Sequence, residues 1–319
     1  MTSAGTLLWA AFLAVILGFL ALDLGLFNRE DHEIGAAEAL RFSAVWAAAA
    51  FLFSGFVAWR FGSAKALDFL TGYLIELSLS VDNLFVFALV FAALAIPGHL
   101  QHRVLFWGIV GALVLRAVMI VGGAALVSRF TWLFYAFGAF LVASGIRFLF
   151  RRGGEHHPER SWAFRTLRRV IPSTARLEGH RFTVVEGGRR VATPLFLALL
   201  LVELSDVVFA LDSIPAVLGV TLDPFIVFTS NIFAILGLRS LYFVLARLIR
   251  RFEYLHYGLA VVLVFIGAKM GLSRWVHLPS SASLSVVVVT LGAAVGFSAL
   301  RARRGEDIHG GGAPPEADP

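Results

Sequence analysis

The sequence predicts an all-α integral membrane protein of nine transmembrane helices, six of them forming an inverted repeat of three and three. Three observations carry this. Of 319 residues, 59% are hydrophobic and 15% charged, whereas soluble domains run at roughly 45–50% apolar and about 25% charged. Apolar stretches of about 20 residues, the length that crosses a bilayer, follow one another nearly end to end. The acidic pattern in Glu76–Asn83 (ELSLSVDN) returns 130 positions later in Asp206–Ser213 (DVVFALDS).

Composition also excludes several classes. There are no cysteines, so disulfide frameworks and thiolate metal sites are absent, and any metal must be held by oxygen or imidazole. The net charge of +6 comes from arginines in loops, where it sets membrane topology and does not mark a nucleic-acid binder. No nucleotide-binding glycine fingerprint occurs. The first apolar run lacks a basic leader and continues past signal-peptide length, so no cleavable signal peptide is expected.

Taken in order, residues 1–66 hold spans 1 and 2, at about 6–27 and 42–61. Residues 67–150 form the first repeat, with span 3 at about 67–96, span 4 at 104–127 and span 5 at 130–150. The loop 151–192 carries ten Arg against four Glu, which assigns it to the cytoplasm by the positive-inside rule. Residues 193–272 form the second repeat, with spans 6–8 at about 193–219, 225–249 and 254–272. Span 9 follows at 282–300 within 273–304, and the Gly- and Pro-rich tail 305–319 reads as disordered. Counting from the basic loop puts the N-terminus outside and the C-terminus in the cytoplasm of a cell whose inner or plasma membrane the chain crosses. Spans 1, 2 and 9 fall outside the duplication and are expected at the periphery.

The repeat extends beyond the acids. Ile109–Ile120 (IVGALVLRAVMI) aligns with Ile232–Phe243 (IFAILGLRSLYF), matching Arg116 to Arg239. Trp132, Tyr135, Gly145 and Arg147 match Tyr254, Tyr257, Gly267 and Lys269. Copies that begin three spans apart enter the membrane from opposite sides, and in secondary transporters such repeats place the substrate site at their interface near the midplane.

A charged side chain at the bilayer centre costs roughly 2.5–3.5 kcal/mol on insertion scales, so acids at matched positions need a shared partner. Glu76, Asp82, Asp206 and Asp212, with Asn83, Ser213 and Asn231, make an all-oxygen set suited to Mn²⁺, Ca²⁺ or Mg²⁺ as a transported ion, with no resident cofactor. Glu203 is a fifth acid, three residues before Asp206, and is a candidate ligand or proton carrier. Arg116 and Arg239 are the candidate charge-balancing partners of an empty site. Glu76 and Asp82 stand six apart, about 120° off one face and roughly 9 Å along an ideal helix, so either the helix unwinds or the acids sit in two layers. Pro215 is expected to break the second copy beside Asp212. Asp23 and Asp68, near span ends, read as caps or snorkelling groups, Arg147 and Lys269 as interfacial charges, and His156–His157 as a solvated pair. Two rival functions use the same residues: an intramembrane aspartyl enzyme built on Asp82 and Asp212, and a structural partner within a membrane resistance or translocation complex.

The segments LSVDNLFVFALVF, VELSDVVFALDSIPAV and DPFIVFTSNIFAILGLRSLYF resemble the TerC/Alx family of integral membrane proteins, named for tellurium resistance. The resemblance runs from Asp23 to about Leu272. It implies a nine-span fold related to the LysE-type transporter superfamily and export of Mn²⁺, with the family's intramembrane acids carried by Glu76, Asp82, Glu203, Asp206 and Asp212. Tellurite is not the implied cargo, since carboxylates repel an oxyanion. Neither oligomeric state nor a protein partner is implied.

Overall fold

A computed structural model describes residues 3–27, 36–150, 166, 169–186, 188–248, 255–276 and 278–309. The chain runs α1 (Ser3–Phe27), α2 (Ala36–Phe61), α3 (Ser63–Ala93), α4 (Gly98–Arg129), α5 (Trp132–Phe150), a hairpin of β1 (Thr183–Glu186) and β2 (Arg189–Ala192), α6 (Pro194–Leu218), α7 (Pro224–Leu248), α8 (Leu255–Gly271) and α9 (Ser280–His309). Among the described residues, seven helices are long and apolar enough to cross a membrane, and Thr6–Phe19 and Leu255–Gly271 are shorter apolar helices.

Local chemistry sets the breaks. Gly62, at φ +94°, turns the chain between α2 and α3 with no intervening loop, a conformation that suits a residue without Cβ. Pro97 precedes α4 in an extended conformation. Pro194 opens α6 after Thr193, at the position where a missing N–H costs nothing.

The helices interleave. α3 runs beside α7 in the same direction: Lys65 pairs with Asp223 at 2.9 Å, Gly72 lies against Ser230, and Glu76 bonds Asn231. α4 runs beside α6 in the same direction, with Gly108 against Val202, Gly111 against Glu203 and Gly123 facing Leu218. α5 and α8 cross antiparallel with their backbones close together. A Cβ on Gly138 would stand 2.9 Å from the Gly267 carbonyl oxygen, and one on Gly145 would stand 2.7 Å from that of Ala260. Small residues at such crossings let backbones approach and replace the hydrophobic drive that lipid removes.

The apolar core has two parts. One gathers Phe69, Ile75, Ile214, Val217, Phe225 and Phe233, and the other gathers Leu84, Phe87, Phe91, Val104, Leu201 and Leu238. α2 flanks α3 and α7, and α9 flanks α3 and α8. Both leave large apolar side chains exposed, among them Leu52, Trp59, Val289 and Phe297, as faces that meet lipid must.

Three expectations change. Residues 183–192, inside the polar loop, form an antiparallel hairpin, because Val184 and Ala192 find burial against the bundle. α9 continues past Gly305 to His309, so helix replaces disorder there. α6 is unbroken across Asp212 and ends at Leu218. Pro215 lies in its last turn, where losing one N–H need not interrupt the helix, and its own carbonyl accepts the Gly219 N–H at 2.9 Å.

Candidate functional site

Four helices bring one polar network to the middle of this apolar bundle. Arg116 of α4 is 1% exposed, Glu76 of α3 is 0%, Asp206 of α6 is 4% and Asn231 of α7 is 0%. Arg116 donates from Nε to Asp206 Oδ2 at 3.1 Å and from Nη2 to Oδ1 at 2.7 Å, a two-pronged fit of planar guanidinium to carboxylate. Its Nη1 donates to Glu76 Oε1 and, at 2.6 Å, to Asn231 Oδ1. Asn231 Nδ2 closes the ring on Glu76 Oε2 at 3.0 Å. Two carboxylates face one guanidinium, so the formal charge of the network is −1.

The remaining acids separate by depth. Because α3 and α6 run in opposite directions past the level where Glu76 and Asp206 share Arg116, six further residues carry Asp82 toward the α3–α4 turn and Asp212 away from it. At about 1.5 Å per residue, the two lie roughly 18 Å apart along the bundle. The acids therefore occupy layers and do not converge as a set of four on one ion. Asp212 accepts from Ser144 Oγ of α5 at 3.0 Å. The side chains of Asp82 and Arg239 lie outside the described residues, as do His156 and His157. Glu203 rests over Gly111 of α4, and its Oε2 is buried with no hydrogen-bond partner among the described residues.

Asn83 and Ser213 are buried at 2% and 1%, and the Ser213 hydroxyl has no hydrogen-bond partner among the described residues. Lys269, expected at the interface, is half-buried and donates to Ser283 Oγ of α9 at 3.0 Å. Arg147 is exposed. Asp68 is buried at 9%.

Two residues beside the network were not among the expected site residues. Ser80 lies one turn beyond Glu76 on the same face of α3 and is wholly buried, with its hydroxyl unpartnered among the described residues. The i, i+4 spacing from Glu76 was the available signal. Ser144 carried none, since its repeat mate is Ile266.

Comparison with known proteins covers all the helices of this network. The profile of the integral membrane protein TerC family matches residues 61–306. The chain is 54% identical over 296 residues to an uncharacterised membrane protein of Myxococcus xanthus, covering 93% of each chain. It is 46% identical over 297 residues to the protein of Escherichia coli (strain K12) named "Putative membrane-bound redox modulator Alx", covering 90% of this chain and 92% of that one. It is 40% identical over 283 residues to an uncharacterised membrane protein of Rickettsia felis, covering 89% and 94%. No solved structure matches. The chain is thus a multi-pass integral membrane protein belonging to the TerC family.

Proposed function

We propose that this chain is a divalent-cation transporter whose outward cargo is Mn²⁺. The observation that carries the reading is the convergence of four oxygens, Glu76 Oε1, both Asp206 oxygens and Asn231 Oδ1, on one buried cationic group. That donor set suits a hard dication. A dication in place of the guanidinium would bring the formal charge from −1 to zero, so Arg116 acts as a tethered stand-in that the ion displaces. Buried carboxylates left behind by the departing ion need protons or Arg116, which makes proton exchange the natural return step, with Glu203 as its carrier. Asp82 with Asn83 and Asp212 with Ser213 serve as outlying stations in the two layers.

Nine spans with an inverted repeat complete the reading. Its support is the reciprocal packing: α3 lies parallel to α7 as α6 lies parallel to α4, and the Gly138–Gly267 contact mirrors Gly145–Ala260. In this reading the arginine-rich 151–192 loop is cytoplasmic by the positive-inside rule, with the N-terminus outside and the α3–α4 turn on the cytoplasmic side.

The rivals weigh less. An aspartyl dyad shares a proton between carboxyl groups about 3 Å apart, far less than the spacing along the bundle between Asp82 and Asp212. The relatives' redox name does not extend to thiol chemistry here, since the chain has no cysteine. A purely structural role for the acids draws on the saturated Arg116 network, and one comparison separates it from transport. Purified protein in liposomes should carry Mn²⁺ against a pH gradient, and Asp206→Asn paired with Arg116→Gln should abolish that flux while the protein stays folded. Full flux in the double variant would establish the structural reading instead.

A further inference from the structure

Between the central network and the α3–α4 turn lies a cavity of about 20 Å³, room for one water, which needs ~10–15 Å³ by the same measure. Its large walls are Phe87 of α3, Leu105 and Ile109 of α4, and Ile235 and Leu238 of α7; Gly108 and Ala112 leave the space, and Asp206 is its charged lining residue. Val202 closes the α6 side, 3.1 Å from where a Cβ on Gly108 would stand. The space therefore reaches the carboxylate that Arg116 grips, from one side of the network.

The repeat supplies a comparison on the other side. The 130-residue offset carries Val202 to Gly72 and Phe87 to Val217. Where the first pair straddles a void, the second is in contact: a Cβ on Gly72 would stand 3.0 Å from Val217 Cγ1 and 2.8 Å from Ser230 Oγ. Farther along the same side, Lys65 and Asp223 are joined at 2.9 Å. Among the described residues, one side holds a one-water gap walled by apolar side chains, with buried Phe91, Leu100 and Val104 of the second core packed toward the α3–α4 turn. The other is closed by backbone-close packing under an ion pair.

We infer that, granted the transport reading, the cation reaches Glu76 and Asp206 from the cytoplasmic side through the Phe87–Leu105–Leu238 constriction, and that Gly72, Val217 and Ser230 with the Lys65–Asp223 pair form the shut outer barrier. A narrow apolar passage blocks ions when dry and conducts once wetted, so the inner barrier opens when Phe87, Leu105 and Leu238 and the core side chains beyond them move aside, with no ion pair to break among the described residues. The outer one requires α3 and α7 to part. The protein therefore rests ready to take cargo from the cytoplasm, and the outer barrier yields only after the network has exchanged Arg116 for the ion.

The cysteine-free chain makes the test direct. Ala112→Cys places one thiol in the cavity, and Ser230→Cys, nearly isosteric, places one in the outer barrier. Each is treated in oriented membrane vesicles with a membrane-impermeant trimethylammonium methanethiosulfonate, from one face at a time, and unreacted thiol is counted after denaturation. Ala112→Cys should react from the cytoplasmic face about an order of magnitude faster than Ser230→Cys from the outer face, as expected of a dry gate beside a packed seal. Adding Lys65→Ala should speed the outer reaction of Ser230→Cys. Equal rates, a faster outer reaction or no reaction of Ala112→Cys from the cytoplasm overturns the proposal. Labelling does not depend on what is carried: asymmetric labelling without Mn²⁺ flux would leave the passage standing and remove the metal reading.

Discussion

Arg116 and Asp206 meet edge to edge, two N–H groups on two carboxylate oxygens at 3.1 and 2.7 Å, while the same guanidinium reaches Glu76 and Asn231 with its third nitrogen. This joins four helices through one side chain. It also makes the network sensitive to the loss of any member.

Arg116→Gln leaves two buried carboxylates without their cation. Removing one partner of a buried pair costs about 3–5 kcal/mol, so thermal unfolding in detergent should shift sharply downward. Mn²⁺ should recover more stability in this variant than in the parent, because the vacated space is where the ion is proposed to sit. An unchanged melting temperature, or no metal effect, would contradict that placement.

Gly267→Ala puts a methyl 2.5 Å from the Gly138 carbonyl oxygen, a fixed backbone atom. Overpacking of this kind costs about 1–3 kcal/mol, and loss of monodisperse protein on gel filtration should report it. Gly122→Ala meets nothing within 4 Å and should be neutral or gain about 0.5–1 kcal/mol.

Gly111→Ala drives a methyl into the Glu203 carboxylate, the movable end of a flexible side chain. The fold should tolerate it. If Glu203 carries the returning proton, the pH profile of Mn²⁺ flux should move while ion affinity at the central network stays the same; an unmoved profile would take Glu203 out of that role.

The helices were legible because apolar runs of membrane length leave few alternatives, and expected spans such as 130–150 and 193–219 fall within two residues of Trp132–Phe150 and Pro194–Leu218. The matched acids drew attention to Glu76 and Asp206. Their depth relation to Asp82 and Asp212 was harder to see, because a pattern read along the sequence suggests equal levels, whereas α3 and α6 run antiparallel and the same six-residue step leads in opposite directions. Ser144 and the Gly111–Glu203 contact come from helices that meet only in three dimensions. The hairpin at 183–192 was hidden by arginines that made its surroundings read as loop.

The central network also draws on both sides of the 151–192 connection: Glu76 and Arg116 lie before it, Asp206 and Asn231 after it. Neither half closes the network alone, since the Arg116 guanidinium before that connection is held by Asp206 and Asn231 after it. A chain severed within 151–192 would therefore bury these charges only where both pieces share one membrane and reassemble.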